Sequence, residues 1–396
     1  VENSEVTPEI GRAVTLIPQA NLILAAYPNE LKMKLLHKKD VVGWLQNNIG
    51  KITGLPAENV EILSGDVEKL RYVPGKRFTS RCCFRIKNRL TGEEQTVSFI
   101  AKQFGNDAKA NRLFQSLKSL EKALMPHIGP ENSDAADSAF PARIPRALGV
   151  LARKRAVFIE EMAGRNLKES LPTLDLEKAM FGAGAVLANF HKAGLHVQKA
   201  VTRQNEIIEV RDTFSLMKKL CPLLNEKIDT FYTKFQQIDW HDGTPDVLLH
   251  GSYRLNHIFD HNDEFVLLDL DSIRMGHPAY DIANFLSSLF YLEAQERFSS
   301  ELHREIQIAF LRGYLQHTDF NIRPDAVLWF LASLMVNKKA SKYMTHEHAD
   351  RDAKVGLMLE VAQKILDRCE TASGTASLEQ VGEILSKIEL ESDDPK

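Results

Sequence analysis

The stretch that decides the fold of this chain is Leu248-Leu-His-Gly-Ser-Tyr-Arg-Leu-Asn-His-Ile-Phe259, together with Phe265-Val-Leu-Leu-Asp-Leu-Asp271. Each half contributes a run of β-forming residues, and the polar loop His261-Asn-Asp-Glu264 separates the two runs. Apolar runs on both sides of a short polar loop are typical of a β-hairpin. The sequence therefore predicts a hairpin whose first strand follows a polar, histidine-containing loop.

The pairing of this hairpin brings a carboxylate back to the polar loop. Pairing about the loop centre places residues 256–257 opposite residues 268–269, so Asp269 is expected beside the loop that runs from His250 to His257. Carboxylate oxygens among polar side chains suit a hard cation such as Mg²⁺. A magnesium ligand is therefore predicted at Asp269.

The sequence also suggests roles for the other polar residues near the hairpin. Asp271 lies two residues after Asp269, so a strand would direct both side chains to the same face. His250 is expected to anchor the loop by hydrogen bonding. Asp281 precedes an apolar helix and fits an N-cap with an architectural role. Arg254 lies inside the loop, where it would contact a phosphate or remain a surface arginine.

The rest of the chain divides into a strand-rich half and a helix-rich half. Strands are predicted within residues 58–104 and at 147–151 and 156–162, with a helix over 107–125; long helices follow, including 175–193 and 213–235. Strands first and helices second predict an α+β protein with two lobes.

Composition excludes several classes of protein. The chain of 396 residues carries 50 Lys and Arg against 53 Asp and Glu, a balance that argues against a dedicated nucleic-acid partner. No apolar run approaches the roughly 20 residues that span a bilayer, so no membrane partner is expected. Four irregularly spaced cysteines do not form a disulfide framework, which favours a reduced, cytoplasmic protein.

Several stretches together resemble the aminoglycoside phosphotransferase and choline kinase family over roughly residues 60–290. The resemblance is carried by the His250-Gly251 loop and its hairpin, and by these further stretches: Gly276-His-Pro-Ala-Tyr-Asp281, Phe99-Ile-Ala-Lys102, Val157-Phe-Ile-Glu-Glu-Met-Ala-Gly164 and Gly184-Ala-Val-Leu-Ala-Asn-Phe-His191. It implies a bilobal protein-kinase-like fold with a small antiparallel-sheet N-lobe and a larger, mainly helical C-lobe.

The resemblance also implies cofactors, an acceptor and site residues. The cofactors are ATP and Mg²⁺, and the acceptor is a hydroxyl group of a small molecule. The implied sites are nucleotide binding at Lys102, Glu121, Glu160 and Met162, metal binding at Asp269 and His257, and acceptor positioning at Ser252 and Asp271. The usual partner of this lysine is a Glu on the following helix, and Glu121 is nominated by elimination because it is the only acidic residue between Asp107 and the loop at 126.

The expected domain order follows from the same resemblance. It comprises a helical extension (1–57), an N-lobe (58–159), a hinge (160–164), a helical C-lobe (165–390) that contains the hairpin, and a disordered tail (391–396). The chain has no Gly-x-Gly-x-x-Gly motif, so the Ser64-Gly65 turn would have to cover the phosphates.

The chain departs from the family pattern at two positions where chemistry is most demanding. Ser252 stands in the position of the catalytic Asp, and His257 in that of the metal-binding Asn, while Asn256 is one residue early. A serine hydroxyl is a poor base, yet positioning and charge neutralisation dominate phosphoryl transfer. Two readings stay open: a phosphotransferase without its usual base, or a pseudokinase that binds nucleotide or a protein partner without turnover.

Overall fold

The computed structural model describes residues 4–7, 12–17, 22–26, 36–73, 77–124, 142–240, 243–261, 264–345, 350–372 and 378–388. The chain forms two compact units. Unit 1 contains Val1–Lys122 and Ile144–Ala163, and unit 2 contains Ala123–Arg143 and Gly164–Lys396. The third change of unit along the chain, between Ala163 and Gly164, falls within the residues expected to form a hinge. The expected tail and residues 125–141 of the proline-rich segment lie outside the described residues.

Fourteen strands occur in the described ranges. They are β1 (Ser4–Thr7), β2 (Arg12–Ile17), β3 (Leu22–Ala26), β4 (Val60–Val73), β5 (Arg77–Asn88), β6 (Glu94–Phe104), β7 (Ala142–Arg143), β8 (Ala147–Leu151), β9 (Ala156–Glu160), β10 (Arg165–Asn166), β11 (Val247–Leu249), β12 (Ile258–His261), β13 (Glu264–Leu267) and β14 (Arg274–Gly276).

Twelve α-helices occur in the same ranges. They are α1 (Lys38–Thr53), α2 (Asp107–Leu124), α3 (Leu167–Ser170), α4 (Leu176–His191), α5 (Arg203–Leu220), α6 (Asn225–Gln237), α7 (Ala279–Glu293), α8 (Ser300–His317), α9 (Pro324–Leu334), α10 (Ser341–Thr345), α11 (Arg351–Ala372) and α12 (Leu378–Leu385). A π-helical segment, Met335–Ala340, joins α9 to α10. No helix of the described residues is long and apolar enough to cross a membrane.

Unit 1 is built on an antiparallel sheet with the strand order β4-β5-β6-β9-β8. Alternation along β5 buries Cys82 and Phe84 and leaves Cys83 exposed, as the period of a strand requires. Helix α1 covers the buried face, where Trp44 stacks on Phe158 with the ring centroids 3.8 Å apart. The side chains of α1 therefore belong to the core of the same unit as the sheet.

Two expectations for unit 1 need correction. The segment 1–57 was expected to be helical, but its described residues form the antiparallel sheet β1-β2-β3 as well as α1. Ser64 and Gly65 do not form a turn, because they lie inside β4, with Gly65 opposite Phe84. A Cβ on Gly65 would overlap the Phe84 ring. This glycine therefore makes room for the core and does not form a phosphate-covering loop.

Unit 2 is mainly helical and carries two small sheets, β10-β12-β13-β7 and β11-β14. The helix expected over 213–235 is two helices, α5 and α6, because Pro222 lacks the N–H that a continuous helix needs. Trp329 on α9 stacks on Phe235 at 4.3 Å and contacts Trp240, which marks the centre of the helical core. Described residues of both units together give the expected mixed α+β fold.

Candidate active site

The loop after β11 is held in place by a buried carboxylate from α7. Helix α7 begins at Ala279, so Asp281 lies in its first turn and is not the N-cap expected from the sequence. Its two oxygens accept hydrogen bonds from the backbone N–H groups of His250 (2.6 Å) and Gly251 (2.8 Å). His191 Nε2 lies 3.4 Å from the same carboxylate. Asp281 is therefore architectural, as expected, but by binding the loop instead of capping the helix.

The environment of Asp281 keeps it ionised. Burial alone would raise the pKa of this carboxyl group, but the hydrogen bond from His191, the nearby histidines and the N–H of Gly251 outweigh burial and lower it. A charged acceptor strengthens hydrogen bonds from N–H groups. The carboxylate thus fixes the two peptide groups that precede Ser252.

His250 and Gly251 fix the direction of the same loop. The carbonyl oxygen of Leu268 accepts a hydrogen bond from His250 Nε2 at 2.9 Å, and His250 Nδ1 accepts one from the N–H of Ser252 at 3.3 Å. Gly251 has φ = +74°, and a Cβ at this position would collide with the carbonyl oxygen of Ser272. The expected anchoring role of His250 agrees with these contacts.

The hairpin has the register expected from the loop centre. Ile258 pairs with Leu267, and the N–H of Leu268 donates to the carbonyl oxygen of His257 at 2.8 Å. Asp269 follows directly, and its Oδ2 lies 3.4 Å from His257 Nε2. A residue twelve positions further along the chain is thus returned to the loop.

The backbone after the hairpin differs from the expected strand. Asp269 adopts the left-handed conformation (φ = +59°, ψ = +45°), and Leu270–Ser272 forms a 3₁₀ turn. Asp is one of the few residues besides Gly that tolerate this region. The expectation that Asp269 and Asp271 share a strand face is therefore wrong, because no strand spans them.

His257 is engaged at both ring nitrogens. Its Nδ1 lies 2.8 Å from the carbonyl oxygen of Ser252, so Nδ1 carries the hydrogen and Nε2 carries the lone pair. Arg254 donates to that Nε2 from its Nε (3.1 Å) and its Nη2 (2.8 Å). Burial first, and the Arg254 charge second, lower the pKa of His257 to about 3. The neighbouring Asn256 is exposed.

The predicted nucleotide-binding residues lie in unit 1. Lys102 is on β6, is 8% exposed, and is opposite Val157 of β9. Glu121 on α2 forms its ion pair with Lys118 of the same helix, at 2.7 Å. The described ion pair of Glu121 is thus with its i, i+3 neighbour on α2, and the pairing of Glu121 with Lys102 stays a prediction.

The expected hinge begins at Glu160, which is the last residue of β9. The N–H of Glu160 donates to the carbonyl oxygen of Arg146 (2.9 Å), and the Glu160 carboxylate accepts from Arg146 Nε (3.1 Å). Met162 follows the end of β9 and is half-buried. The N–H of Glu160 is thus already engaged within unit 1.

Two residues, one in the loop and one that contacts it, were not predicted from the sequence. Tyr253 is fully buried, and its hydroxyl donates to the carbonyl oxygen of Ala183 at 2.6 Å. Lys338, in the π-helical segment, directs its Nζ to the carbonyl oxygen of Gly251 at 3.4 Å. The second contact joins residues 87 positions apart, so no local pattern could have revealed it. In contrast, the i, i+3 spacing of Arg254 and His257 is a local pattern from which their contact could have been predicted.

The donor set fits a magnesium ion at Asp269 but not at His257. Mg²⁺ prefers oxygen ligands, and proteins often bind it through one or two carboxylates plus substrate phosphates. Asp269 offers such oxygens, whereas the lone pair of His257 faces a guanidinium. Among the described residues, no group of three or more His, Cys, Asp and Glu side chains is arranged to hold a metal ion.

Comparison with known proteins identifies the family. The model of the phosphotransferase enzyme family, designated APH, matches residues 115–320. This match covers more than half of the chain and includes the whole loop and hairpin, so the chain belongs to this family. No curated protein sequence matches the chain.

Solved structures agree on the fold. Amicoumacin kinase hAmiN, in complex with AMP-PNP, Ca²⁺ and Ami, is 14% identical, with a TM-score of 0.51; the match covers 86% of this chain and 96% of that one. Spectinomycin phosphotransferase APH(9)-Ia, in complex with ADP and spectinomycin, is 13% identical and also has a TM-score of 0.51. This match covers 90% of this chain and 100% of that one. The kinase-like fold expected from the sequence is thereby confirmed.

Proposed function

We propose that this protein is an ATP- and Mg²⁺-dependent phosphotransferase that transfers the γ-phosphoryl group to a hydroxyl group of a small molecule. The observation that carries the proposal is the position of Asp269, a carboxylate held in a left-handed conformation beside the His250–His257 loop. Membership of the phosphotransferase family supports it. The nucleotides and antibiotics named for the two solved relatives support the choice of ligands.

Each residue has a stated role in this proposal. Lys102 contacts the nucleotide phosphates, and the chain at Glu160 and Met162 contacts adenine. Asp269 holds Mg²⁺, which neutralises charge on the phosphates when bound. Ser252 forms a hydrogen bond with the acceptor hydroxyl, and Asp271 helps to position the acceptor and could take the proton of its hydroxyl group. Loss of the usual base slows such a transfer by about 10²–10⁴-fold without abolishing it.

The second candidate function is that of a pseudokinase. Two observations favour it: a serine replaces the carboxylate that would act as a base, and the lone pair of His257 is engaged by Arg254. In this reading Lys102 and Asp269 still bind nucleotide, and the bound state serves recognition instead of turnover.

The first experiment asks whether nucleotide binds. Thermal unfolding is recorded with and without ATP and Mg²⁺ for the parent protein and for Asp269→Ala. Saturating ligand at about a hundred times its Kd stabilises the folded state by about 2.7 kcal/mol, which raises Tm by several degrees. Asp260→Ala is the matched control, because Asp260 lies on the same hairpin. No shift in the parent protein would rule out nucleotide binding.

The parent protein and one further variant then distinguish turnover from binding. ADP release is measured for the parent and for Ser252→Asp, which restores the family carboxylate. Under the pseudokinase reading only Ser252→Asp releases ADP. Under the phosphotransferase reading the parent releases ADP already. A parent that turns over and is impaired by Ser252→Asp shows that Ser252 has its own part in the mechanism.

A further inference from the structure

The pair formed by Arg254 and His257 defines the charge of the loop. The 3₁₀ turn Leu255–His257 follows Arg254 directly, and the N–H of His257 donates to the carbonyl oxygen of Arg254 at 2.8 Å. This closure keeps the two side chains on one side of the turn. Two guanidinium N–H groups then converge on a single acceptor, His257 Nε2.

The chemistry of the partners leaves one assignment of hydrogens. A carbonyl oxygen only accepts, so Nδ1 of His257 donates to Ser252. A guanidinium only donates and is always charged, so Nε2 must be the acceptor for Arg254. A metal ion bound to this imidazole would need the same lone pair, and it would sit where the guanidinium now lies.

Asp269 adds a carboxylate to this arrangement at the same ring nitrogen of His257. Its Oδ2 is 3.4 Å from the nitrogen that Arg254 contacts, so one cation and one carboxylate meet at His257 Nε2. Arginine also matches the geometry of phosphate oxygens and forms strong charge-assisted hydrogen bonds with them. The half-buried Arg254 is thus a fixed positive charge in the segment that follows Ser252.

We propose that the guanidinium of Arg254 replaces a metal ion at His257 and is the cation that this loop offers to bound polyphosphate. The inference rests on the proposed nucleotide binding and adds a residue to it. The positive charge that contacts the nucleotide phosphates then belongs to a side chain, at the position where the family pattern has a metal ligand. Asp269, beside the loop, is the remaining metal ligand.

Binding of AMP-PNP, measured by calorimetry in Mg²⁺ and in excess EDTA, tests this inference. Arg254→Gln keeps a hydrogen-bond donor but removes the charge. Hydrogen bonds to charged groups correspond to losses of about 10- to 100-fold in affinity. We expect a loss of this size for Arg254→Gln in EDTA and a smaller loss in Mg²⁺. The control is Arg274→Gln, since Arg274 Nε donates to the carbonyl oxygen of Ser272. Equal affinities of the parent and Arg254→Gln in EDTA would overturn the proposal.

A second measurement does not depend on nucleotide. Ring ¹⁵N chemical shifts of His257, assigned with His257→Gln, are recorded during titration with Zn²⁺ alone, because a paramagnetic ion bound at Asp269 would broaden the His257 signals without binding to Nε2. We expect the Nε2 shift of the parent to remain that of an unligated nitrogen and the Nε2 shift of Arg254→Ala to move upfield as Nε2 binds the metal. An equal upfield movement of Nε2 in the parent at the same Zn²⁺ concentration would overturn the proposal. If AMP-PNP does not bind the parent at all, the proposed function fails, while this measurement still decides the role of Arg254.

Discussion

The substitution Asp281→Asn should unfold the loop of the candidate site with little change in volume. The parent carboxylate gives one oxygen to the N–H of His250 and the other to the N–H of Gly251. An asparagine offers one oxygen and one NH₂ group, so one of the two buried N–H groups meets another donor. The variant loses a charge-assisted hydrogen bond and also leaves a buried donor unsatisfied.

The two effects set the expected magnitude. A hydrogen bond to a charged group contributes about 1.5–3 kcal/mol, and an unsatisfied buried donor costs about 1–3 kcal/mol. We therefore expect Asp281→Asn to lower the free energy of unfolding of unit 2 by about 3–5 kcal/mol. A typical domain has about 5–15 kcal/mol in total, so this loss is severe but measurable.

The assay must report unit 2 by itself. Of the three tryptophans, Trp240 and Trp329 lie in unit 2 and Trp44 in unit 1. In a Trp44→Phe background, tryptophan fluorescence during urea unfolding therefore follows unit 2. The control is Asp229→Asn, which breaks an exposed ion pair with Lys218 and should change stability by at most about 1 kcal/mol.

The pH dependence checks the charge on Asp281. Its pKa is lowered in the folded state, so its stabilisation is complete above the unfolded pKa of about 3.9 and is lost as the pH falls through the folded value. The difference in the free energy of unfolding between the parent and Asp281→Asn should be constant from pH 7 to pH 5 and should become smaller only below about pH 4. A difference under 1 kcal/mol at pH 7 would refute the assigned role of the carboxylate.

Two further substitutions test the packing of unit 1 and the charge of Lys338. Gly65→Ala places a methyl group against the Phe84 ring and should lower the free energy of unfolding, measured in urea, by about 1–3 kcal/mol. The control is Gly43→Ala, in an open helical position, which should raise the free energy of unfolding slightly. Equal effects of the two substitutions would contradict the packing argument. Burial, and then the charge of Arg274, lower the pKa of Lys338 to about 8. Between pH 8 and about 10 the unfolded state binds more protons than the folded state does. As the pH rises through this range, the free energy of unfolding of the parent should therefore increase relative to that of Lys338→Met by up to about 3 kcal/mol. Free energies of unfolding that change in parallel with pH would contradict the lowered pKa.

The register of the hairpin could be predicted from the sequence alone. Its register followed from two apolar runs and a polar loop, because pairing about the loop centre fixes which residues are opposite. That register was enough to place Asp269 next to His257. The order of strands and helices likewise predicted the α+β class, since each element carries its own period of apolar residues.

Side-chain partners could be predicted only in part. The pairing of Glu121 with Lys102 was an argument by elimination, and it missed Lys118 one turn away on the same helix. The N-cap reading of Asp281 used the start of an apolar helix, but the carboxylate lies within the first turn and binds backbone groups from a loop thirty residues earlier. Sequence spacing does not encode such contacts, because they depend on how distant elements pack.

The sequence by itself determined the kinase-like fold class, the hairpin, and the substitution of Ser252 and His257 for the family residues. Only the tertiary structure decided that His257, and not the exposed Asn256, turns inward, and that its lone pair is engaged by Arg254. The physical reason is the range of the interactions involved. Periodicity and turn chemistry are local and can be read along the chain. The direction of a lone pair, the charge beside it and the burial that sets its pKa depend on residues that folding brings together.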